Sequence, residues 1–234
     1  MKFLIVFRGG YDRVTDPRFL CKNVIKQIIE PLTQDGHTVE TIFFTYNTDP
    51  EKLKIYSDNL HPRNISFTSS GQIINFKEAL HGLKPIYSEY DYILFFRFEL
   101  IYKMNIMEWN LFDKEGVILP YKEACYERGT PGELYGDNII IFTKKYFMQI
   151  ADLMLHPTWP YFGNGINATL HNIGTHIKNN HPDIPLHCIV DGYYQSFSRL
   201  PPGDIRLNPL YIQMHYAIGY NGTDADLWLT GAVL

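Results

Sequence analysis

Between Tyr92 and Phe98 the chain carries only aromatic and aliphatic side chains apart from Arg97, and charge brackets the run, with Asp91 before it and Glu99 after it. An apolar run this short, aromatic and bounded by charge reads as a β-strand buried on both faces in a mostly parallel sheet. Strands of that kind deliver functional groups at their carboxyl ends, where the crevice of an open α/β sheet lies. In an extended chain Arg97 and Glu99 point to the same side. A cation and an anion there fit two readings about equally: a site for a phosphate or a metal, or an ion pair that merely ends the strand.

The rest of the chain agrees with an α/β architecture. Residues 3–7 form a first strand, followed by the polar loop Arg8-Gly9-Gly10. Phe19, Leu20, Val24, Ile28 and Leu32 recur near helical spacing, and 38–44 reads as a second strand, completing a βαβ unit with parallel strands. Asp49-Pro50 suits a helix start, with Asp49 as cap and Pro50 in the first turn. Residues 64–68 form a short third strand. Ile73, Phe76, Ala79, Leu80 and Leu83 make one face of a helix over 72–83. Further on, strands are expected near 117–120, 139–142 and 186–190, with helices over 144–155, capped by Thr143, and over 167–179. The loop 121–136 is long for a compact domain and reads as functional or mobile. The tail from Pro201 has little periodicity.

With 234 residues, 45% of them hydrophobic, the chain can bury a proper core, and one α/β domain over 1–234 fits better than two small ones. A net charge of −4, without a block of either sign, gives no basic footprint for nucleic acid. Cys21, Cys125 and Cys188 lack paired spacing and read as reduced thiols of a cytoplasmic protein. The apolar run after Met1-Lys2 stops at Arg8 without a cleavage site, so it reads as a strand and not a leader. No segment approaches the roughly 20 apolar residues that span a bilayer.

Common catalytic signatures are missing. There is no GxGxxG fingerprint, no GK[ST] phosphate loop, no HExxH and no GxSxG elbow. His171 and His176 stand five apart, off the spacing that places two ligands on one helix face. Arg8-Gly9-Gly10 at a strand end lets backbone approach a ligand, although taken alone an ordinary turn is the better reading. Asp137-Asn138 precedes the apolar strand and is expected at the same sheet edge as Glu99.

Taken in order, these features resemble the small GT-A-type glycosyltransferases of polysaccharide and viral-glycan biosynthesis. The resemblance rests on Arg8-Gly9 at the first strand end, Thr45-Tyr46-Asn47 at the second, Gln72 opening a helix, Tyr90-Asp91 through Arg97-Phe98-Glu99-Leu100, and Asp137-Asn138. It covers about residues 1–155. It implies a GT-A-like Rossmann-type sandwich with helices on both faces, a nucleotide-sugar half over 1–115, and an acceptor-side half with the tail over 116–234. The implied partners are a UDP- or GDP-linked sugar donor, a glycan or glycoprotein acceptor, and Mn²⁺ or Mg²⁺. Glu99 would ligate the metal, standing where the family has Asp; Arg97 stands where the first Asp of Asp-x-Asp would be, and its fork suits a diphosphate. Arg8, Gly9, Gly10, Tyr46, Gln72 and Arg97 would hold the donor, with Tyr46 stacking on the base. Asp137, with Asp191 second, would be the catalytic base that deprotonates the acceptor hydroxyl. The rival expectations are a non-catalytic nucleotide-sugar or carbohydrate binder with a degenerate site, and a nucleotidyltransferase.

Overall fold

A computed structural model describes residues 1–11, 14, 16–46, 49–123, 134–156, 170–194 and 209–213. The eight-residue strand β1 (Lys2–Gly9) lies at the heart of a seven-stranded sheet, where its Phe, Leu, Ile and Val side chains are buried on both faces. Pro17 opens α1 (Pro17–Val24), where the Asp16 side chain accepts from the Arg18 N–H. The helix continues through a π turn, Ile25–Ile29, into α2 (Glu30–Gln34). The widened turn stands directly before Pro31, whose ring would crowd the carbonyl four residues back in a regular helix.

β2 (Thr38–Thr45) pairs parallel with β1 over its whole length. α3 (Pro50–Leu60) starts as its sequence dictates, with Asp49 accepting from the Glu51 and Lys52 N–H groups at 3.1 Å each. β3 (Asn64–Phe67), α4 (Gln72–Leu83) and β4 (Tyr92–Arg97) complete the parallel half. β5 (Leu100–Tyr102) leaves the sheet, β6 (Val117–Leu119) rejoins it, and β7 (Lys122–Glu123) follows. β8 (Ile139–Thr143) leads into α5 (Lys144–Leu155); α6 (Ile173–Asn180), β9 (Leu186–Cys188), β10 (Tyr193–Tyr194) and β11 (Tyr211–Gln213) come last.

The main sheet has the order β3-β2-β1-β4-β8-β6-β9. Only β8 runs against its neighbours. The carboxyl ends of six strands and the amino end of β8 therefore share one edge. Alternation sorts the side chains into two layers. Phe3, Ile5, Phe7, Leu94 and Phe96 pack with Leu20, Val24, Tyr56 and Leu60 of α1 and α3. Leu4, Val6, Ile93 and Phe95 pack with Phe76, Leu80, Phe147, Ile150 and Ile177 of α4, α5 and α6. The expected sandwich, mostly parallel with helices on both faces, is the fold observed.

Local details differ from expectation. Strand β4 stops at Arg97, and Phe98-Glu99 form a turn, so Arg97 and Glu99 meet across a bend rather than by alternation along one strand. The cause is Phe98: the turn drops its ring among Phe7, Tyr11, Phe43 and Tyr56. Thr143 sits at the N-cap of α5 without capping it, because its hydroxyl accepts instead from the Gly116 N–H at 2.9 Å. On α4, Ile73 is half-buried and Asn75 takes the inward position, donating to the Phe44 carbonyl at 3.0 Å and to the Thr68 hydroxyl at 2.6 Å. The expected helix over 167–179 is described from Leu170, where a short 3-10 turn precedes α6. Of the long loop 121–136 the middle, 124–133, lies outside the described residues, as does most of the tail. Among the described residues no helix is long and apolar enough to cross a membrane.

Gly116, at φ +110°, shows how tightly β6 and β9 approach, since a Cβ there would sit 2.1 Å from the Pro185 carbonyl oxygen. Gly116→Ala is expected to destabilise the protein by about 2–4 kcal/mol, through backbone strain and a clash with backbone that cannot give way. Urea unfolding with unchanged m would register it as a lower midpoint.

Candidate active site

Four elements converge at the carboxyl edge of the sheet. Arg8 on β1 and Arg97 on β4 are direct partners in the parallel register. Alternation puts both on the α4 face, with Val6 and Phe95 beneath them. β8 begins opposite the end of β4, Ile139 pairing with Phe96, so Asp137-Asn138 arrive beside Arg97. Gly71 at φ +108° turns the chain into α4 and brings Gln72 to Arg97.

The contacts form one network. Arg8 Nη2 donates to the Asp137 carbonyl, and its guanidinium lies 5.4 Å from the centre of the Phe76 ring. Arg97 Nη2 pairs with Glu99, while Nη1 donates to Asn138 Oδ1 at 3.2 Å. The Gln72 amide bridges the charges, its oxygen accepting from Arg97 Nη1 at 2.6 Å and its nitrogen donating to Asp137 Oδ2 at 3.2 Å. Asn138 Nδ2 donates to the Tyr211 hydroxyl at 3.1 Å, and that hydroxyl meets Tyr121 at 2.7 Å. On the other side of Asp137, His171 Nε2 stands 3.7 Å from Oδ1, while Nδ1 reaches Glu123 Oε2 at 3.0 Å and the Tyr135 carbonyl at 3.2 Å.

Burial and charge pull against each other here. Arg8 is 1% exposed. Burial lowers its pKa to about 10, with Arg97 adding repulsion and Asp137 opposing the fall, so it stays a cation at neutral pH. Burial also works against the Arg97 charge, but Glu99 and Asp137 more than offset it and the pKa rises. For Asp137 burial favours the neutral acid, yet His171, Arg97 and Arg8 together hold its carboxyl below the usual range. Burial opposes charge on His171 as well; Asp137 and Glu123 overcome it and raise its pKa to about 9. The imidazole is therefore an imidazolium at neutral pH, with Nδ1 in hydrogen-bond range of Glu123 and Nε2 facing the Asp137 carboxylate as an ion pair.

Arg8, Arg97, Glu99, Gln72 and Asp137 are thus brought together. Gly9 ends β1 at φ +96°, a conformation that suits glycine, and Gly10 follows it half-buried. Tyr46, half-buried past the end of β2, lies within electrostatic reach of both guanidiniums. Asp191 stands apart, exposed beyond β9 on the wall of a separate cavity, its carbonyl accepting from the Tyr194 hydroxyl at 3.2 Å. The donor set does not fit a divalent cation in this arrangement. Glu99 is 4% exposed and engaged by Arg97, and among the described residues no three His, Cys, Asp or Glu side chains gather as metal ligands.

Sequence reasoning missed His171, Glu123, Tyr121 and Tyr211. By spacing, His171 reads only as a metal-ligand candidate beside His176, whereas the fold turns it towards Asp137. No local pattern marks these residues: Tyr211 lies 73 positions from Asn138 and reaches it because β11 pairs antiparallel with β5.

No protein-family model matches the sequence, and no curated protein does. Solved structures resemble the fold. A 4-diphosphocytidyl-2C-methyl-D-erythritol synthase from Anaerococcus prevotii is 12% identical over 83% of this chain and 90% of its own, with a TM-score of 0.53. A proposed nucleotide-diphospho-sugar transferase from Desulfovibrio desulfuricans is 11% identical over 99% of this chain and 96% of its own, at 0.49. A glycosyltransferase involved in glycosylation of the major capsid of PBCV-1 is 8% identical over 100% of both chains, at 0.47. The chain has the α/β fold of the synthase, and at 12% identity the likeness is one of fold.

The raised His171 pKa makes stability depend on pH. Its contribution, on the order of 3 kcal/mol, is fully present below the unfolded value near 6.5 and is lost as pH rises through about 9. Wild-type melting temperature should therefore fall between pH 6.5 and 9.5. His171→Gln should flatten that fall, as scanning calorimetry across the range would show.

Proposed function

We propose that the chain is a glycosyltransferase that moves a sugar from a UDP- or GDP-linked donor to a glycan or glycoprotein acceptor. One observation carries the reading: two guanidiniums, Arg8 and Arg97, stand on adjacent strand ends at the carboxyl edge of a parallel sheet, held by a buried carboxylate. That edge is where open α/β sheets bind ligands, and paired arginines suit a diphosphate. One solved structure with this fold is named for a diphosphocytidyl compound, which supports a nucleotide-linked diphosphate as the ligand class.

As the glycosidic bond breaks, negative charge grows on the leaving diphosphate. We assign its stabilisation to Arg97, with the exposed Gln72 amide and the N-terminus of α4 beside it. Arg8, buried beneath, strengthens the positive potential; its Nε has no acceptor among the described residues. Gly9 and Gly10 leave room for the nucleotide, and Tyr46 offers a ring for its base. The depressed proton affinity of Asp137 favours anchoring the two arginines over accepting a proton from the acceptor. Asp191, exposed on the neighbouring cavity, is the remaining candidate for the base.

Isothermal titration with a panel of UDP- and GDP-sugars tests the reading, and failure of every donor to bind would overturn it. Gln72→Ala, at an exposed position, and Arg97→Lys should each weaken donor binding by about tenfold, the cost of a lost charge-assisted contact. Nucleotide release from a bound donor separates an enzyme from a mere binder, and turnover of nucleoside triphosphates instead would mark a nucleotidyltransferase. Asp137→Asn should weaken donor binding if Asp137 is an anchor; full donor binding with abolished transfer would restore it as the base. Chelation of divalent ions should leave donor affinity within about twofold, and a strict Mn²⁺ requirement would return Glu99 to the metal.

A further inference from the structure

A cavity of about 750 Å³ runs along β9, outside the arginine cluster, within the size range of ligand pockets. Among the described residues its wall carries Lys114, Lys122 and Lys178, with His187 beside them, and one acid, Asp191. The chain as a whole has a net charge of −4, whereas lysines outnumber acids among the described residues of this wall. Lys114 is fixed in place, donating from Nζ to the Cys188 carbonyl at 2.9 Å, and an ammonium has further donors beyond that one bond. His187 is likewise oriented, its Nε2 lying 3.0 Å from the Glu115 carbonyl.

The cavity adjoins the arginine cluster through shared residues. Tyr135 lines it, while the Tyr135 carbonyl contacts His171 and its N–H donates to the His171 carbonyl at 2.9 Å. The close packing of the Tyr135 ring on Gly174, where a Cβ would come within 2.4 Å, fixes this wall. Lys122 stands in sequence between Tyr121 and Glu123, both members of the network. β6 and β9 both point their carboxyl ends at the functional edge, and the Val190 N–H donates to the Pro120 carbonyl at 3.1 Å.

We propose that this cavity binds the acceptor, and that the acceptor is an anionic glycan bearing carboxylate or phosphate groups. The choice of a glycan rests on the glycosyltransferase reading; its anionic character rests on the three lysines. Apolar Ile184, Pro185 and Leu186 offer a surface for the C–H face of a sugar ring, and the ammonium groups meet its charged substituents.

The test uses the full chain and three trisaccharide probes: one of hexuronic acid, the same one with its carboxylates reduced to alcohols, and a phosphorylated one. Titration should show that at least one anionic probe binds tenfold or more tightly than the neutral one, and the two anionic arms distinguish carboxylate from phosphate. Lys114→Glu/Lys178→Glu should weaken the anionic probe at least tenfold while UDP- or GDP-sugar binding and the melting temperature hold. Lys178→Glu alone, on the exposed face of α6, should give a smaller loss in the same direction should the double variant unfold. Equal binding of neutral and anionic probes, no binding of either, or undiminished affinity in the lysine variants would overturn the proposal. Donor titration on the same samples reports separately on the arginine site, so that the acceptor reading can fail while the donor reading stands.

Discussion

Two guanidiniums on neighbouring strands, largely removed from water, set the conditions that the surrounding structure has to meet. Arg8 and Arg97 repel each other, and burial alone would lower the pKa of each. Unit charges about 4 Å apart interact by roughly 4 kcal/mol at the effective dielectric of a protein near its surface, so a partner for each cation decides whether the edge folds at all. Asp137, Glu99 and the amides of Gln72 and Asn138 are those partners. They come from separate elements, so the charged edge forms only once β1, β4, β8 and α4 have assembled.

This dependence explains what could be read beforehand and what could not. The buried strands were legible because their apolar runs are local, and the start of α3 because Asp49-Pro50 carries its own hydrogen-bond logic. Arg8, Arg97, Glu99 and Asp137 were legible as candidates because each flanks such a run. The bend at Phe98-Glu99 was hidden, since it answers to an aromatic cluster drawn from Phe7, Tyr11, Phe43 and Tyr56, far apart in sequence. Thr143 misled for a related reason: its cap position is local, but Gly116 lies 27 residues away and competes for its hydroxyl. His171 and Tyr211 carry no local signature, and only strand pairing and the packing of α6 bring them in.

The late part of the chain does more than extend the sheet. Tyr211 and Tyr121 hold Asn138, Asn138 holds Arg97, and His171 holds Asp137 from the side opposite Gln72. The pKa values of both tyrosines are raised by burial, which keeps them neutral hydroxyls able to donate and accept. Residues beyond 116 therefore fix the geometry of arginines that belong to the first hundred, and the sheet runs unbroken from β3 to β9 across that boundary.

The charge balance also bears on how an anion would enter. Arg8, Arg97 and the His171 imidazolium face Asp137, Glu99 and Glu123, so the described network is close to neutral before any ligand arrives. An incoming diphosphate competes with the contacts that the cations already make. Arg8 is sealed below, and Glu99 is buried against Arg97, where separating the ion pair would leave an uncompensated charge. The Gln72 oxygen on Arg97 Nη1 is different: it is neutral, it belongs to an exposed side chain, and its loss strands no charge. On the proposed reading the Gln72 oxygen is the contact that gives way: Arg97 exchanges it for a phosphate oxygen, the released Gln72 amide turns its N–H to the same phosphate, and Glu99 and Asp137 keep the guanidinium in place.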